Sequence, residues 1–107
     1  MKLSNMQIVT HINNLSSLID DAPNIRVRVS HTINRNHKRL MEAYIPYDES
    51  RSKLMESDLP DEEKNAQMKE LLETETEVPI DTIRLTELEN EPLNLKQMSA
   101  IEFMVEE

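Results

Sequence analysis

The chain has 107 residues, the size of one domain, since two halves would each be short of core. It contains no cysteine and no glycine, which excludes disulfides, Cys-ligated zinc, thiol catalysis, glycine-rich phosphate loops and Asn-Gly hairpins. A net charge of −9, 37% hydrophobic residues and three aromatics leave Leu, Ile, Val and seven Met to build a core of helices joined at Pro, Asn and Asp.

The first helix is announced by Ser4 and Gln7, which have capping-box spacing, with Leu3 and Ile8 placed as the hydrophobic staple. Ile8, Ile12, Leu15 and Ile19 recur at steps of four, three and four, one face of a helix that fades near residue 20. From Asn24 to Ile45 two patterns compete. Ile25–Val29 alternates like a half-buried strand, but Ile25, Val29, Ile33, Leu40, Tyr44 and Tyr47 share about 100° of a helical wheel. The longer pattern favours a helix and leaves the state of Ile25–Val29 open. Pro46 lacks the amide hydrogen and predicts an end or a kink, with continuation through Leu54 and Met55.

Asp58, Pro60 and the acids Asp61, Glu62 and Glu63 mark a third helix start, with negative charge near the positive end of the dipole. Ala66, Met68, Leu71 and Leu72 give that helix a modest apolar face. Thr76, Val78 and Ile80 then alternate with polar residues, as do Ile83 and Leu85, and Pro79 confines any strand here to an edge. Asn94 with Gln97, and Leu93 with Met98, repeat the capping box and staple for a last helix whose stripe is Met98, Ile101, Met104 and Val105. The expected fold is mainly α over a single domain, 1–107: a helical hairpin with a kinked long helix, a third helix, a small two-stranded β element and a C-terminal helix. No run approaches the roughly 20 apolar residues of a membrane span, and the first residues lack a signal peptide's apolar run. A soluble, unexported protein is expected.

Four segments carry a resemblance: Leu3-Ser4-Asn5-Met6-Gln7-Ile8, Ile33-Asn34-Arg35-Asn36, the run from Glu77 to Leu85 (EVPIDTIRL), and the closing Ala100 to Glu107 (AIEFMVEE). Their order resembles small proteins of unknown function encoded by bacteriophages and prophages of Gram-positive bacteria. The resemblance implies a phage origin, a helical fold and action in the cytoplasm of an infected host. It supplies no active site.

The residues point away from chemistry and toward binding. His31 and His37 are six apart and His11 lies on another helix, so they lack the spacing of zinc ligands, and no cofactor is expected. The acids sit in polar runs rather than in a pocket that would poise one as a general acid, and no catalytic residue is nominated. Charge is strongly divided. Residues 1–55 carry 8 Lys/Arg against 5 Asp/Glu, net +3, and residues 56–107 carry 4 against 16, net −12, together the −9 of the whole. The acidic run comprises Glu56, Asp58, Asp61, Glu62, Glu63, Glu70, Glu73, Glu75 and Glu77. It reads either as a solvated face that keeps the chain soluble or as a ridge fitted to a basic groove normally filled by nucleic acid. Tyr44 and Tyr47 flank Pro46 either as partner anchors or as packing for the bend.

A basic stripe (Arg26, Arg28, Arg35, Lys38, Arg39) offers the opposite reading. The net −9 and the absence of interleaved aromatics argue against direct DNA or RNA binding, and pairing with the acidic half accounts for the stripe. The reading that leads is a non-enzymatic antagonist of a host defence protein, a CRISPR-type nuclease above all. The alternatives are a self-associating virion or assembly component and a small nucleic-acid-binding regulator. Homo-oligomerisation is expected because a long amphipathic helix in a short chain needs a surface to bury its stripe.

Overall fold

Ser4 and Gln7 start the fold as their spacing predicts. The Ser4 amide donates to Gln7 Oε1 at 2.9 Å and the Gln7 amide to Ser4 Oγ at 3.1 Å. The computed structural model describes residues 1–21 and 23–107. It begins with a short strand β1 (Lys2–Ser4) that runs directly into helix α1 (Asn5–Asp21). Leu3 and Ile8, the staple pair, are both buried. The buried stripe continues through Leu15 to Leu18, not to Ile19, which is 37% exposed. At 100° per residue the stripe drifts, and the core lies on the Leu18 side.

Helix α2 (Val27–Glu56) runs 30 residues, about 45 Å, antiparallel to α1 and packed along it. The alternation at Ile25–Val29 is not a strand: Ile25 precedes the helix and packs on the core, while Val29 is buried inside α2. Val29, Ile33, Leu40 and Tyr47 form its buried stripe. Pro46 lies within the helix and does not end it. Both Pro46 and Glu42, whose carbonyl loses its intrahelical partner there, are exposed, so water can take up that carbonyl.

Helix α3 (Asp61–Glu73) packs against both α1 and α2. The Asn5 side chain, 5% exposed, donates to the Leu71 carbonyl at 2.8 Å and so caps the C-terminal end of α3. Strand β2 (Glu75–Glu77) then pairs antiparallel with β1, Leu3 opposite Thr76. Strand β3 (Ile83–Arg84) pairs parallel with β4 (Val105–Glu106). The two alternating stretches around Pro79 therefore do not pair with each other. Each meets a segment near one end of the chain. Between β3 and β4 come a 3-10 turn (Leu85–Leu88), helix α4 (Leu95–Ile101) and a second 3-10 turn (Glu102–Met104). The capping box of α4 is present in full, with the Gln97 amide donating to Asn94 Oδ1 at 2.8 Å and the Asn94 amide to Gln97 Oε1 at 3.0 Å.

The core gathers Leu3, Ile8, Leu15 and Leu18 with Val29, Ile33 and Leu40, closed over by Val78, Ile83, Leu88, Ile101 and Met104. It fills one end of the molecule. Past Tyr47, α2 buries nothing further, and α3 buries no residue at all. The result is a body 53 × 24 × 20 Å with a radius of gyration of 16.2 Å, against about 13 Å for a compact chain of this length. The excess is the arm formed by the far half of α2 and by α3. Among the described residues, no helix is long and apolar enough to cross a membrane.

Candidate protein-binding surface

The arm carries the acidic run. All nine of its predicted acids, Glu56, Asp58, Asp61, Glu62, Glu63, Glu70, Glu73, Glu75 and Glu77, are exposed. Lys64, Met68, Leu71 and Leu72 are half-buried and turn inward, which fixes the rotation of α3. Opposite them Glu62, Glu63, Glu70 and Glu73 fall within about 100° of the wheel and share the outer face. Asp61 starts the helix at its edge, and Glu75 and Glu77 continue the charge along β2. Ala66, read from the sequence as part of the apolar face, sits among the outer glutamates and is exposed.

Few of these charges are neutralised within the chain. Among the described residues, Glu77 is the one member of the nine within 4 Å of a cation, the Met1 amino group at 2.8 Å. That hydrogen bond and its charge hold the Glu77 carboxyl below its usual value. Lys64 spends its ammonium on the Met55 carbonyl at 3.2 Å.

The basic stripe is treated differently. Arg26 meets Glu91 at 2.7 Å and the Glu87 carbonyl at 2.9 Å, while the Glu91 carboxylate also accepts the Arg26 amide at 3.2 Å. Arg39 reaches Asp81 at 3.1 Å and the Pro79 carbonyl at 2.9 Å, and Arg35 lies 3.5 Å from Asp81. Three of the five cations thus hold the acidic half of the chain in place. Arg28 and Lys38 remain exposed with no ion pair among the described residues. Sequence reasoning did not single out Glu91 or Asp81. Asp81 is an isolated acid and Glu91 is one of three glutamates at steps of two, and the roles of both exist only once residues 26–39 and 79–91 meet.

The tyrosines divide. Tyr47, read from the sequence either as a partner anchor or as packing for the bend, is only 8% exposed, its ring 5.7 Å from that of Tyr44, and packs the arm's base. Tyr44 is half-buried and donates to Asp48 at 3.3 Å. Arg51 donates to the same carboxylate at 2.8 Å, and its hydrogen bond and charge lower the Asp48 pKa.

The histidines lie apart. His11 stacks on Phe103 with ring centroids 3.8 Å apart, His37 Nε2 is 3.1 Å from Ser16 Oγ, and His31 is exposed. Burial lowers the His11 pKa. Among the described residues, no three His, Asp or Glu side chains converge as metal ligands would. No protein-family model, curated protein or solved structure matches the chain.

Proposed function

We propose that this protein is a binding antagonist whose acidic arm occupies a basic, nucleic-acid-binding groove on another protein. A nuclease-type effector of bacterial defence is the partner this reading favours, in keeping with the phage-like sequence pattern. The observation that carries it is the contrast between the two charge sets. Arg26, Arg35 and Arg39 of the basic stripe are committed within the chain, whereas the acids of α3 stand outward with no ion pair among the described residues, on a helix that contributes no buried residue to the fold. A helix kept on the outside with its charges free is shaped for contact.

Charge density sharpens the class of groove. From Glu62 to Glu73 the outer face spans about 16 Å at 1.5 Å per residue, so its four carboxylates stand about 5.5 Å apart on average, with about 10 Å between Glu63 and Glu70. A single nucleic-acid strand carries one phosphate per about 3.4 Å, a duplex one charge per about 1.7 Å of axis. The arm's charge is sparser than either and nearer to that of one strand.

The test is affinity purification of the tagged protein from an infected Gram-positive host, followed by binding and inhibition assays with the captured protein. The quadruple variant E62Q/E63Q/E70Q/E73Q should keep its helical circular dichroism and lose binding by at least tenfold at low salt. Unchanged inhibition by the folded variant removes the acidic-arm mechanism. Recovery of capsid, neck or tail proteins instead supports the assembly reading.

A further inference from the structure

We propose that the solvent face of α2 is a self-association surface on which a second copy of this chain packs antiparallel, helix against helix. The proposal is independent of the acidic arm, because α3 lies on the opposite side of α2. The groove between those two helices is lined by Ser50, Leu54, Gln67 and Leu71, half a turn away from the face in question.

That face is unoccupied and patterned. His31, Lys38, Met41, Ile45, Ser52 and Met55 follow one another at steps of seven, three, four, seven and three, the spacing of a helix–helix seam. All six are exposed, Met41 by 43%, Ile45 by 54% and Met55 by 57%. Two apolar residues thus sit in water at the middle of a 30-residue helix whose opposite side is already used by the core.

Charge decides the occupant and its direction. The first half of the face is basic, with Arg28, His31 and Lys38. The second half is predominantly acidic, with Glu42, Glu49 and Glu56 against the single Lys53 at its flank, all exposed. A parallel copy would set like charge on like charge. An antiparallel copy with its two-fold axis level with Ala43 sets Met41 on Ile45 of the second copy and Lys38 beside Glu49 of the second copy. It carries Arg28 toward Glu56 of the second copy, and every contact occurs twice because the interface is isologous. Glu42, next to the axis, faces its own equivalent, and Lys53 comes near Arg35 of the second copy; both are unfavourable pairs at the flank of the seam.

The interface is modest. A seam about 45 Å long and about 10 Å wide buries roughly 900 Å² over both copies, in the range of weak and transient contacts. A dissociation constant in the tens of micromolar, rising with salt, is the expected behaviour.

Sedimentation equilibrium from about 5 to 500 μM, the range that brackets such an affinity, tests it. The chain should pass from monomer to dimer, and Ile45→Lys should weaken the dimer at least tenfold with helical content unchanged. Lys38→Glu and Glu49→Lys should each weaken it, and an equimolar mixture of the two should recover association as a heterodimer. Direction is read separately, since the native chain has no cysteine. Under mild oxidation Glu42→Cys should cross-link to itself and Ser52→Cys should not. A chain that stays monomeric to the highest concentration overturns the proposal. So does an unchanged dimer in Ile45→Lys, or cross-linking through residue 52 in place of residue 42.

Discussion

Asn36, with no exposed surface, spends both ends of its amide on one residue. Its Nδ2 donates to the Asp81 carbonyl at 2.8 Å and its Oδ1 accepts the Asp81 amide at 2.9 Å. The segment leading into β3 has no helix or ladder to satisfy that peptide, so Asn36 serves as its missing partner. Asn36→Ala removes the partner of both half-buried backbone groups and should cost about 1–3 kcal/mol by urea unfolding. Asn36→Asp keeps the acceptor but turns a carboxylate toward a carbonyl, and should cost more. His11 makes a second residue-scale prediction. Half-buried against Phe103, it holds a proton less readily in the folded chain than in the unfolded one, whose value is near 6.5. Stability from this site is therefore full above that value and falls as pH drops through the interval below it. Urea midpoints at about pH 7.5 and 5.5 should differ, and His11→Gln should reduce the difference; an unchanged difference in the variant removes His11 as its source. Asp48 and Glu77 act lower. Their carboxyls are held below 3.8 and 4.5, so what they contribute is present above those values and lost only as pH falls through the folded ones. Neither Asn36 nor the His11–Phe103 stack was legible in the sequence, where Asn36 is one polar residue in a polar stretch and Phe103 lies 92 positions from His11.

The elements divide by how local their signals are. Both capping boxes, the hairpin of α1 and α2, and the start of α3 were readable because each depends on residues three to seven apart. The strand pairings were not. Nothing within residues 75–84 says that β2 meets β1 across some seventy residues, or that β3 meets β4. The acidic character of the arm could be read from composition, whereas the rotation that puts Glu62, Glu63, Glu70 and Glu73 outward is set by which side chains α1 and α2 accept. Two measurements belong to this scale. Helix α4 has seven residues and is held by its capping box, so Asn94→Ala should lower stability by about 1 kcal/mol. Helix α3 has thirteen residues and buries none, near the length at which an isolated helix is marginal in water. Its amides should exchange fastest among the described helices, and protection equal to that of α1 would show that the arm is held by contacts beyond its half-buried Met68, Leu71 and Leu72.

For the whole molecule the net −9 is not evenly borne, and its division predicts an unusual response to salt. The ion pairs that fasten residues 79–91 to α2 are weakened by screening, but those at Asp81 are partly exposed and each contributes little. The Arg26–Glu91 pair is better protected, since the Glu91 side chain is only 5% exposed. Against these stands repulsion within the arm, where nine acids face two lysines from Glu56 to Glu77 and most have no cation nearby. Repulsion between exposed charges about 5–10 Å apart is screened once the Debye length drops below that spacing, from about 30 Å at 0.01 M salt to about 3 Å at 1 M. The repulsive set is larger and more exposed than the attractive one, so added salt should stabilise the fold. Between about 0.01 M and 1 M sodium chloride the thermal midpoint should rise by several degrees, with the gain in amide protection concentrated in α3. The variant E62Q/E63Q/E70Q/E73Q should have a higher midpoint at low salt and a flatter salt dependence. A midpoint that falls with salt would mean that the contacts of Arg26, Arg35 and Arg39 outweigh the arm's self-repulsion. A partner's basic groove would relieve the same repulsion, so the salt that stabilises the free chain should weaken its complex.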